Sequence, residues 1–173
     1  MNLIDMNAND ITICIEGKDI EMKYPICHGK VYDGWLVSKC GKVWSIPTNR
    51  LLKGSLSGTP RNYVQMKFYS DESFWEDGSG RVATDHYRKK NVLRAIRLHK
   101  MIMDTWAPLY DNPPEGIVWE EWEKVRDLPT VYNHISKTVV IDHIDDDPTN
   151  NHIDNLRRVT SWDNQPTRKA KGI

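Results

Sequence analysis

Side chains suited to metal binding and proton transfer are concentrated in one stretch near the C-terminus, residues 139–164. The oxygen atoms of Asp142 and Asn164 suit a hard cation, Mg²⁺ above all, which often takes substrate phosphate oxygens as further ligands. A neutral imidazole at His143 can take a proton from an attacking water, because imidazoles titrate near neutral pH. Asn155 can hold the loop in place through hydrogen bonds to the backbone. Together these residues predict hydrolysis of a phosphodiester.

The elements that must position these side chains are a strand, a polar loop, a second strand and a helix. The β-branched run 139–141 and the segment 156–160 carry strand signals, and the loop between them is rich in Asp, Asn and Pro. Ser161 is placed to cap a helix whose first turn contains Asn164. Neighbours in a regular strand point to opposite faces, so Asp142 and His143 can share a site only if the chain leaves the pleat there.

The order Asp142-His143, Asn155-Leu156-Arg157 and Asn164 resembles the HNH, or ββα-metal, nuclease motif in the version carried by phage homing endonucleases. The resemblance implies that His143 is the general base, that Asp142 and Asn164 hold one Mg²⁺ or Mn²⁺, and that Asn155 braces the loop. Relatives usually have Gly where this chain has Asp146. Asp tolerates a left-handed conformation better than most residues, so the expected cost is small.

Each of these features alone has a simpler interpretation. An Asp-rich loop is more often a solvated turn than a metal site, and a lone His at a strand end is usually a packed or surface residue. The joint pattern in a strand-loop-strand-helix context favours the nuclease.

Length and composition set broad limits. A chain of 173 residues can form one large or two small domains. Cys14, Cys27 and Cys40 form no CxxC pair, and an odd, scattered count is typical of a reducing cytoplasm rather than a disulfide framework or a zinc site. With no signal peptide and no apolar run of about 18 residues, the sequence predicts a cytoplasmic protein of a bacterial or phage-infected cell, with no membrane partner.

The formal net charge is zero, yet the charges are unevenly distributed. Residues 81–100 are rich in Arg and Lys and contain Asp85 as the single acid, and the C-terminal end is again basic. Local basic stripes are what phosphate binding requires, although a solvated charged face is the alternative interpretation. The predicted contacts to DNA phosphates are Arg88, Lys89, Lys90, Arg157, Arg158, Arg168 and Lys169.

The N-terminal half carries a second resemblance and a strand pattern. Residues 35–46 read as two short strands around a Gly turn. They resemble the module with the pattern V-S-x-x-G-x-V-x-S that precedes the nuclease in the same phage endonucleases. In residues 63–69 the apolar side chains alternate with Tyr63, Gln65 and Lys67, which would face outward. This outer face could contact base edges and phosphates in a major groove; an ordinary amphipathic strand is the alternative.

Residues 70–91 are polar and contain Gly, which predicts a long loop. Residues 98–106 have helical spacing that Pro108 ends, and they resemble the V-H-R-L-V helix that precedes the motif in relatives. His99 on this helix is expected to be structural. The insert of residues 110–137 contains a short acidic helix, 119–126, interpreted as a packing or protein-contact element.

The sequence therefore predicts an α+β fold. An N-terminal antiparallel sheet, residues 1–91, would be a DNA-binding module, and residues 92–173 would hold the linking helix, the insert and the ββα-metal unit. The predicted activity is metal-dependent, homing-type hydrolysis of double-stranded DNA, one strand per site, by a monomer or homodimer. The alternatives are a DNA-binding protein with an inactive HNH fold and a non-specific or RNA-directed nuclease of the same superfamily.

Overall fold

The computed structural model describes residues 11–58, 62–71 and 91–164, and within these ranges the fold is α+β, as predicted. Ten strands come first along the chain: β1 (Ile11–Ile15), β2 (Lys18–Lys23), β3 (Ile26–Cys27), β4 (Lys30–Val31), β5 (Trp35–Ser38), β6 (Val43–Ser45), β7 (Arg50–Leu52), β8 (Ser55–Ser57), β9 (Tyr63–Asp71) and β10 (Asn91–Arg97). Three helices and two strands follow: α1 (Leu98–Trp106), α2 (Trp119–Val125), α3 (Pro129–Thr138), β11 (Val139–His143) and β12 (Leu156–Thr160).

The first sheet is antiparallel and has the order β1-β2-β5-β6-β7. Strands β1 and β2 are joined by the two-residue turn Glu16-Gly17, in which both residues have positive φ, as hairpin turns of the mirror-image type require. Gly41, with φ +82, makes the turn between β5 and β6 that the sequence predicted.

The second sheet has the order β10-β9-β8. Met66 and Phe68 of β9 are buried, as the alternation of the sequence predicted. Strand β10 pairs with β9 along its whole length, with Arg97 opposite Gln65. The prediction of a loop over residues 70–91 extended too far at both ends, because residues 70 and 71 belong to β9 and residue 91 belongs to β10. The rest of the predicted loop lies outside the described residues.

The main hydrophobic core joins the sheets to helix α1. It contains side chains from β5, β6, β9, β10, α1 and β12, among them Val37, Val43, Met66, Phe68, Ile96, Met101, Ile102 and Leu156. Residues on both sides of position 91 therefore share one core. Trp106, at the end of α1, donates a hydrogen bond from Nε1 to the Val37 carbonyl at 3.2 Å, which fixes the helix against β5.

The insert contains two helices where the sequence analysis expected one. Helix α2 agrees with the prediction, and Trp122 on it is fully buried and donates from Nε1 to the Tyr110 carbonyl at 2.8 Å. Helix α3 was missed, although Pro129 stands at its first turn, where a missing N–H costs nothing. Among the residues described, no helix is both long and apolar enough to cross a bilayer.

Candidate active site

The site is built on the antiparallel pair β11 and β12 and the loop between them. Asp142 stands opposite Arg157 in this pair, and His143 stands opposite Leu156. The loop begins with a turn in which the Asp146 N–H donates to the His143 carbonyl at 3.0 Å. Asp146 has φ +61, so the position where relatives usually carry Gly is indeed left-handed.

Asn155 links the two ends of the loop. Its Nδ2 donates to Asp145 Oδ1 at 2.8 Å and to the Asn150 carbonyl at 2.9 Å, and its Oδ1 accepts from the Asp145 N–H at 3.2 Å. Hydrogen bonds from Asn150, Asn155 and the Asp147 N–H hold the pKa of the Asp145 carboxyl below its ordinary value. Asp145 is thereby kept as a charged acceptor at the centre of the loop.

Asp142 and His143 are both paired with β12, and His143 is the last residue of β11. The Asp142 carboxylate is only 2% exposed and pairs with the Arg157 Nε at 3.0 Å. Arg157 also pairs with Glu115 at 2.9 Å. One guanidinium therefore bridges two carboxylates on the Asp142 side of the ribbon.

His143 is 4% exposed and lies among other rings. His99 of α1 packs edge-to-face against it, with ring centroids 5.1 Å apart, and Tyr63 of β9 lies 6.0 Å away. The His143 Nε2 is 3.4 Å from Oδ1 of Asn151 in the loop. The sequence analysis expected His99 to be structural and assigned no role to Asn151. For His99 the only signal in the sequence was the resemblance of its helix to the V-H-R-L-V helix of relatives.

His99 is itself buried. Burial, together with the nearby His143 and the basic residues Arg97 and Lys100, lowers the pKa of His99 to about 3. Its Nδ1 has no hydrogen-bond partner within the described ranges. His99 is therefore a neutral ring in the wall of the site.

The face of β9 that was predicted to contact DNA lies next to His143. Tyr63, Gln65 and Lys67 alternate along β9 with the buried core residues. Tyr63 is half-buried, and its ring contacts His99 at 5.2 Å, while the Arg97 guanidinium lies over it at 4.6 Å. Arg97, opposite Gln65, extends this face and was not among the predicted DNA contacts.

Of the predicted phosphate contacts, Arg157 and Arg158 fall within the described residues. Arg158 is buried, and its guanidinium donates to the carbonyls of Met103 and Ala107 and pairs with Asp104 at 3.3 Å. A phosphate contact by Arg158 would require these bonds to be exchanged. The remaining predicted contacts, Arg88, Lys89, Lys90, Arg168 and Lys169, lie outside the described residues.

Asn164 closes a turn that begins at Thr160. The Thr160 hydroxyl accepts from the Asp163 N–H at 3.1 Å, and the Thr160 carbonyl accepts from the Asn164 N–H at 3.2 Å. Thr160, rather than the predicted Ser161, therefore occupies the capping position, because its side chain reaches the exposed N–H groups. The predicted helix beyond Asn164 lies outside the described residues.

The donor chemistry of Asp142 and Asn164 fits a hard cation. Asn164 Oδ1 is buried and has no hydrogen-bond partner in the part of the chain that the structure describes, so an oxygen acceptor is left to be satisfied. Asn164 also lines a cleft of about 800 Å³, which Tyr63, Arg97 and His99 border as well. Within residues 11–58, 62–71 and 91–164, no group of three or more His, Cys, Asp or Glu side chains is arranged to hold a metal.

Comparison with known families agrees with this geometry. Residues 133–165 match a family model described as HNH endonuclease, and this range contains all four motif residues, Asp142, His143, Asn155 and Asn164. The β11-loop-β12 segment therefore matches the HNH endonuclease family, and the resemblance read from the sequence is confirmed.

Among solved structures, the chain is similar to the one described as "DNA binding and cleavage by the HNH homing endonuclease I-HmuI". The identity is 18% and the TM-score 0.46, over 81% of this chain and 54% of that chain. This chain thus spans about half the length of the protein it matches. No curated protein matches it.

Proposed function

We propose that this protein is a metal-dependent, homing-type endonuclease that hydrolyses phosphodiester bonds in double-stranded DNA and nicks one strand per site. The observation that carries the proposal is the match of residues 133–165 to the HNH endonuclease family, with His143 beside the polar face of β9. Residues 1–91 would supply most of the DNA-binding surface, and the nuclease unit would lie within residues 92–173.

His143 would act as the general base. It takes a proton from water as the water oxygen forms a bond to phosphorus, and the bond from phosphorus to the leaving deoxyribose oxygen breaks. The leaving oxygen is protonated by solvent. Asn155 keeps the loop closed around this step through its bonds to Asp145 and Asn150.

Asp142 and Asn164 are the residues that would hold one Mg²⁺ or Mn²⁺. Such an ion, when bound, supplies stabilisation of negative charge on the phosphate and on the leaving oxygen. Asp142 now pairs with Arg157, so this proposal requires the carboxylate to exchange a guanidinium partner for the ion.

The polar face of β9 and β10 would bind the DNA backbone and base edges through Tyr63, Gln65, Lys67 and Arg97. Amide and basic side chains of this kind bond both phosphates and base edges. Tyr63 is the residue of this face that lies beside His143, so DNA bound to the face would lie close to the proposed general base.

The test is a nicking assay on supercoiled DNA with Mg²⁺, using host or phage genomic inserts. We expect the wild type to convert supercoiled to open-circular DNA, and His143→Ala or EDTA to abolish the conversion. Loss of a general base costs about 10²- to 10⁴-fold. His152→Ala is the matched control, because His152 lies in the same loop but is exposed. We expect it to cut like the wild type.

A second candidate is favoured by two observations, the burial of His143 and the pairing of Asp142 with Arg157. It is a DNA-binding protein with an inactive HNH fold. A gel-shift measurement on the same DNA separates the two. If the wild type and His143→Ala both bind this DNA and neither cleaves it at any Mg²⁺ or Mn²⁺ concentration, the second candidate is established and the first is rejected.

A further inference from the structure

Asn151 is a buried polar side chain to which the proposed reaction assigns no part. It is 5% exposed and lies in the loop between β11 and β12. Its amide makes two contacts: Oδ1 is 3.4 Å from the His143 Nε2, and Nδ2 donates to the Thr149 carbonyl at 2.9 Å.

The second contact fixes which way the amide faces. A backbone carbonyl can only accept a hydrogen bond, so the amide end that meets Thr149 must be the NH₂ group. A flipped amide would place two acceptors against each other. The carbonyl end of Asn151 therefore has to face His143.

The Thr149 carbonyl is in turn held by the loop. Asp147 Oδ1 accepts from the Thr149 N–H at 2.8 Å and from its hydroxyl at 2.7 Å. The β5–β6 hairpin supports the loop from outside, because the Lys39 carbonyl accepts from the Ile153 N–H at 2.8 Å. Gly41 of the same hairpin lies beside Asn151, and a Cβ added to this glycine would be in ordinary van der Waals contact with the Asn151 Cβ, at 3.5 Å.

An acceptor oxygen facing the His143 Nε2 selects one form of the neutral ring. A neutral imidazole carries one N–H, and only that nitrogen can donate to the Asn151 carbonyl. The proton is therefore held on Nε2, and Nδ1 keeps its lone pair. His99, packed edge-to-face at 5.1 Å, opposes rotation of the ring out of this contact.

We propose that Asn151 is a positioning residue that holds His143 in the Nε2–H tautomer, so that Nδ1 is the nitrogen that takes the proton from water. This inference rests on the proposed function for its catalytic consequence, but the tautomer itself is independent of any cleavage. In this proposal Asn151 acts through His143 rather than directly on the DNA or the water.

The first measurement is ¹⁵N NMR of the imidazole nitrogens in the full chain, above the range in which histidines are protonated. The His143 signals are assigned by their loss in His143→Gln, since the chain has 6 histidines. In the wild type we expect a protonated-type shift at Nε2 and an unprotonated-type shift at Nδ1. The opposite pattern would overturn the proposal without any variant being needed.

Two substitutions at the same position then separate hydrogen bonding from packing. Asn151→Leu keeps the approximate size but removes the acceptor, and should give a mixture of tautomers. Asn151→Asp keeps an acceptor oxygen and should retain the Nε2–H form. Asn150→Leu is the matched control, because Asn150 bonds Asp145 rather than His143. This control substitution also removes a hydrogen bond within the loop, but we expect it to leave the His143 tautomer unchanged.

Cleavage kinetics give the second readout. We expect Asn151→Leu to lower kcat at least about 10-fold with KM for DNA little changed, and Asn151→Asp to recover most of the loss. An Asn151→Leu spectrum identical to that of the wild type overturns the proposal. A wild type that shows the Nε2–H tautomer yet cleaves no DNA overturns the proposed nuclease function instead, while the tautomer assignment stands.

Discussion

His99 makes the stability of the protein depend on pH in a defined direction. Its ring packs against His143 and Tyr63, the charges of Arg97 and Lys100 are nearby, and its pKa in the folded state is about 3. In the unfolded chain a histidine has a pKa of about 6.5. Between these two values the unfolded state binds a proton that the folded state does not.

The free energy of unfolding should therefore fall as the pH is lowered from about 6.5 toward 3, by up to about 1.4 kcal/mol per pH unit from this residue. We expect His99→Phe to flatten that dependence in urea titrations at pH 7 and pH 5. Equal slopes for His99→Phe and the wild type would show that His99 is not the group responsible.

The three cysteines should differ sharply in reactivity. Burial, with a smaller contribution from Asp104, raises the pKa of the Cys27 thiol to about 12, whereas Cys14 and Cys40 are exposed. Because the thiolate is the reactive form, Ellman's reagent should label Cys14 and Cys40 in the native protein and reach Cys27 only after unfolding. Mass spectrometry of the labelled peptides identifies the sites. Rapid native labelling at Cys27 would contradict the buried position.

At the residue scale, the sequence led to the motif but not to its surroundings. Asp142, His143 and Asn155 were found because their order along the chain is itself the signal. His99, Arg97 and Asn151 were not, since their contacts with the site depend on how α1, β10 and the loop fold together. The spacing of residues along the sequence contains no signal for how these three elements pack together.

The carboxyl end of helix α1 is held by Arg158 from strand β12. Its buried guanidinium donates to the Ala107 carbonyl, just beyond the last helical residue, and to the Met103 carbonyl, which also accepts from the Ala107 N–H. We expect Arg158→Ala to lower the free energy of unfolding by about 1–3 kcal/mol, because the Met103 and Ala107 carbonyls would lose their buried donor, whereas Asp104 keeps Lys100 as a partner. Arg50→Ala, at an exposed strand position, should change it little. Unchanged stability with weakened DNA binding would instead favour the phosphate contact.

Arg97 allows a test of the sheet face formed by β9 and β10. If this face binds DNA as proposed, Arg97→Ala should weaken DNA binding. It should also reduce the slope of the logarithm of the binding constant against the logarithm of the salt concentration by about one, because one phosphate contact is lost. Lys124→Ala serves as the control, because Lys124 is exposed on helix α2, outside the proposed DNA-binding region. Fluorescence anisotropy over a salt series measures both quantities. An unchanged slope would place the DNA elsewhere.

At the element scale, the predicted strands and helices were those with a clear period. The alternation in β9 and the helical spacing of α1 were read correctly because each buries one face. Strand β10 was missed, since Ile96 is the only buried residue among those of β10 whose side chains the structure describes, residues 93–97, and the basic residues around it read as a solvated stretch. Helix α3 was missed because it carries few apolar side chains and none of its residues is buried.

The whole molecule should unfold as one unit even though two functional modules were predicted. Phe68, from β9, and Met101 and Ile102, from α1, belong to one core across the predicted boundary at residue 91. We expect Phe68→Ala to destabilise the protein by about 3–5 kcal/mol and to shift a single unfolding transition. Calorimetry and tryptophan fluorescence would report the same midpoint. Two separate transitions, with only one displaced, would show independent domains.

The placement of Tyr63 has a consequence for where the DNA is cut. Tyr63, Gln65 and Lys67 lie on one strand, and alternate residues of a strand are spaced by roughly 6.6 Å, close to two base-pair steps. If Tyr63, Gln65 and Lys67 bind the DNA and His143 acts as the general base, as proposed, the packing of Tyr63 beside His143 fixes the distance between the binding residues and the point of cleavage. Substitutions along β9 would then change which sequence is chosen while leaving the offset between the recognised bases and the nick the same.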